Sequence, residues 1–327
     1  MDRLKVLYMP HPDPKLLTDW PGPLADAIDG RHDLHFFDYM EPLAPQFADV
    51  DAVVAIVGKP FVTHEMIDMA AADSTRLWQI YGTGLDHADV PYLRSKGMLV
   101  ANCPGPASAV ALAECAMMHM LMLAKQYANA WASLQEGVLY TPFTNELDGQ
   151  KLALLGFGAS GRELARRAKS FGMDILAIDI LEISDEDAAT FGVTFRGGPD
   201  DIDDVLAQAD YVSLHLHLKE DTRHIIDARR MELLKPSAIL INVSRGELVD
   251  EEALAKALLE NRIGGAGIDT YSQEPPDMSA PIFGLRNVTA TPHNAGVTDG
   301  TARRRSAMVA DNLDRLMKGL ELNYLVG

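Results

Sequence analysis

Cysteine is almost missing from this sequence: Cys103 and Cys115 are the two in 327 residues. So few thiols cannot build a disulfide framework in so long a chain, and a reducing cytoplasm is the expected setting. Positive charge is also scarce. Lysine and arginine number 29 against 47 aspartates and glutamates, a formal net charge of −18. Such a chain has no basic stripe for nucleic acid and no attraction to an anionic bilayer, so neither is an expected partner. No apolar run approaches the length of a membrane span. The opening "MDRLKVLYMPHPDP" has too short an apolar core for a secretory signal. Repeats of solenoid period and low-complexity tracts are absent. A metal is not expected either: the sulfur-rich "CAMMHMLML" has the spacing of a buried helix rather than of a ligand set.

What is present is the balance of a globular protein, 47% hydrophobic and 23% charged, long enough for two cores. Short apolar runs alternate with helical patterns. "KVLYM", "LHFFDY", "DAVVAIV", "RLWQIYG" and "MLVANC" read as strands, with helices at "PLADAID", "THEMIDMAAA" and "VPYLRSKG" between them. Strands without polar alternation, separated by helices, predict a parallel sheet covered on both faces; residues 1–101 are one doubly wound unit. A nearly all-apolar pattern over 107–130 predicts one long helix, buried against another domain or subunit, and 131–150 reads as loop. From Lys151 a second series begins, with strands at "KLALL", "DILAID", "VTFRG", "YVSLHL", "SAILINV", "GAGID" and "NVTATP". Asp250 is placed to cap the helix of "DEEALAKALLENR", and a last helix covers about 297–318.

The turn after "KLALL" reads "GFGASG". A buried strand precedes it and the amphipathic "GRELARRAKSFG" follows, which is the setting a dinucleotide-binding turn needs. Gly156 permits the tight turn, Gly158 lets backbone approach a pyrophosphate, and Gly161 lets helix pack on strand. The phosphates then sit on the helix N-terminus, against the N–H groups of Ala159 and Ser160. Asp179, at the end of the next strand, can accept from both ribose hydroxyls and would repel a 2′-phosphate, which favours NAD over NADP.

Three stretches farther on hold candidates for chemistry at the carboxyl ends of strands, where ligands bind in open parallel sheets. "ILINVSRGELVDEEAL" places Arg245, "GAGIDTYSQEPP" places Asp269 and Glu274, and "NVTATPHNAG" places His293. Taken singly, each has an ordinary structural reading: a surface ion pair, a turn acid, a loop histidine. In this order behind the glycine turn they fit hydride chemistry. With "ADYVSLHLHLKEDTRHIID", "YGTGLDHADV" and "VANCPG", the sequence resembles the D-isomer-specific 2-hydroxyacid dehydrogenases.

That resemblance implies an α/β fold of two doubly wound parallel-sheet domains. A flavodoxin-like catalytic domain is built from 1–101 and 296–327, a Rossmann NAD-binding domain (102–295) is inserted, and the 107–130 helix serves as hinge and arm of a homodimer. It implies that Arg245, Glu274 and His293 are the catalytic triad. Histidine suits proton exchange near neutrality, a paired carboxylate raises its basicity and fixes the ring, and arginine offers a planar fork for a carboxylate. It further implies NAD contacts at Gly156, Gly158, Ala159, Ser160, Gly161, Asp179, His215, Val243, Ser244, Asp269 and Gly296, with Asp269 and the main chain of Val243 and Ser244 reading the nicotinamide carboxamide. Backbone N–H groups around Thr83 and Gly84 stand in the family's carboxylate-binding loop. Domain closure is expected to exclude water.

The sequence departs from the family in places. Ala159-Ser160 replaces the usual Arg-Ile, His217 stands where proline is common, and "NCPGPASAVALAE" is one residue longer than usual. Glu274 rather than glutamine disfavours formate as substrate. The loop "VGKPFVTHE" lacks an arginine for a phosphorylated tail; Lys59 either supplies that charge or is a solvated lysine. With no regulatory domain expected beyond Gly327, a small keto acid such as glyoxylate, hydroxypyruvate or pyruvate is the first expectation and phosphohydroxypyruvate the second. A branch of the same fold that senses NAD as a co-repressor is the alternative of a different class.

Overall fold

The computed structural model describes residues 3–13, 15–16 and 19–327. The chain forms two compact units, Met1–Ser108 with Val297–Gly327, and Ala109–Gly296.

In the first unit five strands, β1 (Lys5–Met9), β2 (Asp33–Phe36), β3 (Ala52–Ala55), β4 (Leu77–Ile80) and β5 (Leu99–Ala101), alternate with α1 (Pro21–Ile28), α2 (Leu43–Phe47), α3 (His64–Ala72) and α4 (Val90–Ser95). All pairings are parallel, in the order β2-β1-β3-β4-β5, the flavodoxin-like order. β3 and β4 are buried along their whole length, which is why they read as unbroken apolar runs. The expected crossing at 101/102 comes later, at Ser108/Ala109. Hydrogen bonds hold the intervening residues to the first unit: Cys103 N donates to the Gly82 carbonyl, Asn102 Nδ2 to the Thr83 carbonyl (2.9 Å), and Arg304 Nε to the Ala107 carbonyl (2.8 Å).

The second unit opens with α5 (Ala109–Ala124) and α6 (Tyr127–Gln135). The single helix expected over 107–130 is therefore two, and part of the expected 131–150 loop is helical. The break lies at Gln126, whose backbone is left-handed (φ 45°). Lys125 Nζ donates to the Asn145 carbonyl (2.6 Å) and Gln126 Nε2 to the Phe143 carbonyl (2.8 Å), so the returning loop holds the bend. The burial of α5 also differs from expectation. It packs inside its own unit, on strands and a helix of the sheet below, rather than only against another body.

Those strands are β6 (Lys151–Leu155), β7 (Asp174–Ile178), β8 (Val193–Gly197), β9 (Tyr211–Leu214), β10 (Ile239–Asn242), β11 (Gly265–Ile268) and β12 (Val288–Ala290). Their order is β12-β11-β10-β9-β6-β7-β8, all parallel: a Rossmann sheet reversing direction between β6 and β9. Helices α7 (Ala159–Ser170), α8 (Asp185–Phe191), α9 (Ile202–Gln208), α10 (Ala228–Met231) and α11 (Glu251–Leu259) connect them, with α5 covering one face beside α7. Asp250 caps α11 as expected, its carboxylate accepting from the N–H groups of Glu252 and Ala253. The chain returns to the first unit in α12 (Asp299–Met317), which packs on α1. Tyr81 and Ser306 hydroxyls meet there at 2.6 Å, and Asn312 Nδ2 donates to Gln79 Oε1 (2.9 Å).

Candidate active site

The loops leaving β10, β11 and β12 bring Arg245, Glu274 and His293 to the carboxyl end of the second sheet. Each loop is shaped locally. Asn242, 4% exposed, closes the first: its Nδ2 donates to the Arg245 carbonyl (2.8 Å) and its Oδ1 accepts from Ser244 N (3.1 Å). Ser244 Oγ donates to the Leu214 carbonyl (2.7 Å), and Arg245 Nη1 donates to the Ser244 carbonyl (2.7 Å). Gly246 lies so near the Tyr271 backbone that a Cβ would collide with it, which joins the first loop to the second. Tyr271 N donates to Glu274 Oε1 (3.2 Å), and its hydroxyl donates to the Thr291 carbonyl (2.8 Å), joining the second to the third. Burial pushes the Tyr271 phenol up to about 12, so it remains a donor at all working pH.

His293 holds a left-handed backbone, φ 50°. Its Nδ1 lies 2.8 and 2.9 Å from the two oxygens of Glu274. Nδ1 therefore carries the hydrogen facing the carboxylate, and Nε2 is the ring's remaining proton site. Burial pushes Glu274 up, but the hydrogen bond and charge of His293, the Tyr271 N–H and the Arg245 charge outweigh it. The carboxyl lies below its ordinary value. Both side chains are 40% exposed, so a substrate can reach the pair.

Asp269, fully buried, has both oxygens engaged by the histidine loop. Oδ1 accepts from Thr291 Oγ1 (2.6 Å) and Asn294 N (3.0 Å), and Oδ2 from Ala295 N (3.1 Å). The acid expected at the nicotinamide thus also anchors His293.

The glycine turn fits a dinucleotide. Gly156 has φ 98°, and a Cβ there would strike the His215 carbonyl; a Cβ on Gly161 would strike the Gly156 carbonyl. Space above Gly158 is open, and Gly158, at the N-cap of α7, has no side chain to occupy the N–H groups there. Asp179 is held at the turn: its Oδ2 accepts from Phe157 N (2.6 Å) and its Oδ1 from Leu181 N (2.9 Å). Lone pairs remain on both oxygens for ribose hydroxyls. The Ser160 hydroxyl is 3.0 Å from His215 Nδ1, while His215 Nε2 is 3.0 Å from Ser213 Oγ. Burial pushes His215 down to about 4, so it is neutral. His217 is exposed, and its carbonyl accepts from Thr222 Oγ1 (2.8 Å). Val243 is buried at the end of β10, and Gly296 ends the histidine loop.

In the first unit Thr83 and Gly84 lie on the loop after β4. The Thr83 hydroxyl is buried without a hydrogen-bond partner among the described residues. Lys59 Nζ is 2.9 Å from Asp89 Oδ2. Bonds from Lys59 and His64 hold Asp89 down at about 2.

A family model described as the NAD binding domain of D-isomer specific 2-hydroxyacid dehydrogenases matches residues 117–295. The chain belongs to that family. It is similar to D-3-phosphoglycerate dehydrogenase of Methanocaldococcus jannaschii, 35% identical over 281 residues, covering 85% of this chain and 52% of that one. The chain spans about half the length of that relative. Glyoxylate reductase of Korarchaeum cryptofilum is 35% identical over 277 residues, 83% of this chain and 81% of that one. The solved structure of D-2-hydroxyisocaproate dehydrogenase shares the fold: TM-score 0.84, 24% identity, 99% of both chains. This 2-hydroxyacid dehydrogenase is thus an oxidoreductase whose second unit binds NAD.

The sequence did not single out Asn242, Tyr271 or Thr291. Asn242 carries a faint signal, an asparagine ending a strand before a turn. The partners of Tyr271 and Thr291 come from loops 20 and 22 positions away, beyond any local pattern.

Proposed function

We propose that this dehydrogenase interconverts a small, uncharged-tail 2-keto acid, such as glyoxylate, hydroxypyruvate or pyruvate, and its D-2-hydroxy acid. The observation that carries the proposal is the His293–Glu274 pair beside Arg245, on three loops at one end of a sheet whose glycine turn fits NAD. NADH, when bound, supplies the hydride. Arg245 holds the substrate carboxylate and polarises the keto group. His293, its Nδ1–H on Glu274, gives a proton from Nε2 to the substrate oxygen; in oxidation the same nitrogen takes it back. Glu274 fixes the ring and favours its protonated form in the transition state. Backbone N–H groups around Thr83 and Gly84 are proposed as a carboxylate-binding element of the first unit.

The pairing of Lys59 with Asp89 supports an uncharged tail over a phosphorylated one. Asp179, aimed at the glycine turn, supports NADH over NADPH. We also propose a homodimer working in a reducing cytoplasm. An exposed apolar face on α6 and the segment after it supports the first, and the unpaired Cys103 and Cys115 the second. A steady-state screen of 2-keto acids with NADH and NADPH tests the proposal. Turnover of glyoxylate, hydroxypyruvate or pyruvate with NADH is expected; turnover confined to phosphohydroxypyruvate would sink the substrate assignment.

A further inference from the structure

His119 lies in the middle of α5, a helix whose other inward residues are alanine, methionine and leucine. It is 0% exposed. Its Cβ rests where a side chain on Gly267 would be, so β11 is open at that point for an imidazole. Both ring nitrogens have partners: Nδ1 is 2.7 Å from Thr289 Oγ1, and Nε2 is 3.2 Å from Thr291 Oγ1. Cys115, one turn earlier, brings its Sγ to 4.0 Å from the same Thr291 hydroxyl.

The hydrogens of this cluster can be assigned. Both oxygens of Asp269 accept backbone N–H groups, from Asn294 and Ala295, so the carboxylate gives no hydrogen and the Thr291 O–H must point to it. Thr291 Oγ1 then accepts from His119, which places that hydrogen on Nε2. Burial holds the His119 pKa below its ordinary value, against the charge of Asp269, so the ring is neutral and Nδ1 accepts from the Thr289 hydroxyl. A directed chain results: Thr289 O–H to His119, His119 N–H to Thr291, Thr291 O–H to Asp269. Asp269 ends the chain on the two amides that follow His293.

We propose that His119 is a positioning residue for His293. Its Nε2–H fixes the Thr291 hydroxyl on Asp269, and Asp269 thereby sets the height and direction of the left-handed histidine loop. The inference rests on reading His293 as the acid–base group. Nothing in it requires His119 to meet substrate or cofactor.

The test uses the full chain carrying His119→Leu, His119→Gln, Thr291→Val and the double change His119→Leu/Thr291→Val, with His293→Ala as control. Leucine fills similar volume without a donor, whereas glutamine retains an N–H at the place of Nε2. His119→Leu is expected to lower kcat by roughly tenfold or more through misplacement of His293. NADH affinity, followed by fluorescence titration, is expected to fall by much less than kcat, because the glycine turn is untouched. His119→Gln should recover most of the loss. In the Thr291→Val background His119→Leu should cost nothing further, since both changes cut one chain.

Wild-type kcat in His119→Leu would overturn the inference. So would equal impairment of the leucine and glutamine variants, or additive losses in the double change. If His119→Leu does not fold, Thr291→Val carries the comparison, and an unchanged kcat there is equally fatal. Wild-type kcat in His293→Ala would instead remove the underlying reading of the acid–base group.

Discussion

At the residue scale, the left-handed backbone of His293 is held by hydrogen bonds on both sides: its own N–H donates to the Thr291 carbonyl, and the two amides after it donate to Asp269. His293→Ala is expected to lower kcat by about 10²- to 10⁴-fold, the usual contribution of a positioned acid–base group, measured under saturating NADH and keto acid. Glu274 adds a pH dependence with a definite sign. Its pKa in the folded protein is depressed, so it stays ionised until pH falls through that lowered value, and there the pair with His293 is lost. The acid limb of kcat/KM should therefore disappear in Glu274→Gln, at a reduced plateau; an unchanged acid limb would assign that titration elsewhere. Asp179→Ala should raise the ratio of NADPH to NADH kcat/KM, read from paired saturation curves. The placement of Arg245, Glu274 and His293 was legible in the sequence because each follows a strand in an ordered set of motifs. Asn242, Thr291 and His119 were not, because what they do depends on partners brought in by the fold. Ser160 shows the limit from the other side: its place in the turn was readable, but its bond to His215, 55 positions on, was not.

At the element scale, strand and helix order followed from the alternation of apolar runs, since buried parallel strands leave an unmistakable imprint. Element ends and short helices did not. α2 and α10, five and four residues long, are too brief for a helical period to declare itself. The α5–α6 break was hidden because Gln126 carries none of the usual signals of a left-handed residue; bonds from Lys125 and Gln126 to a distant loop impose it. The cap at Asp250 was legible and is present, its carboxylate accepting from Glu252 N and Ala253 N. Asp250→Ala should cost about 1 kcal/mol by removal of the α11 cap, measured by urea unfolding. Gly156→Ala meets both a positive φ and the His215 carbonyl. It should destabilise by more than about 1 kcal/mol and weaken NADH binding in titration, whereas Gly158→Ala, with open space at its Cβ, should fold normally.

On the scale of the whole molecule, the chain leaves its first sheet, builds a complete Rossmann sheet, and returns as α12 to the unit it began. That return was readable only through the family resemblance; no local pattern in "TARRRSAMVADNLDRLM" says which sheet it will cover. Trp131 and Leu134 on α6 are more than half exposed, and Tyr140 and Phe143 are almost wholly so. If they form a homodimer face, Trp131→Lys with Leu134→Lys should shift the sedimentation coefficient from dimer to monomer. A monomeric wild type would remove that assignment. The proposed drive of NADH-dependent keto-acid reduction by His293 with Glu274 and Arg245 is tested in one rapid-mixing experiment. Enzyme preloaded with NADH is mixed with glyoxylate or hydroxypyruvate, and loss of NADH absorbance is followed through the first turnover. Wild type should consume its bound NADH quickly, and His293→Ala should bind NADH equally well yet consume it orders of magnitude more slowly. Equal first-turnover rates in the two proteins would remove His293 from the proton transfer.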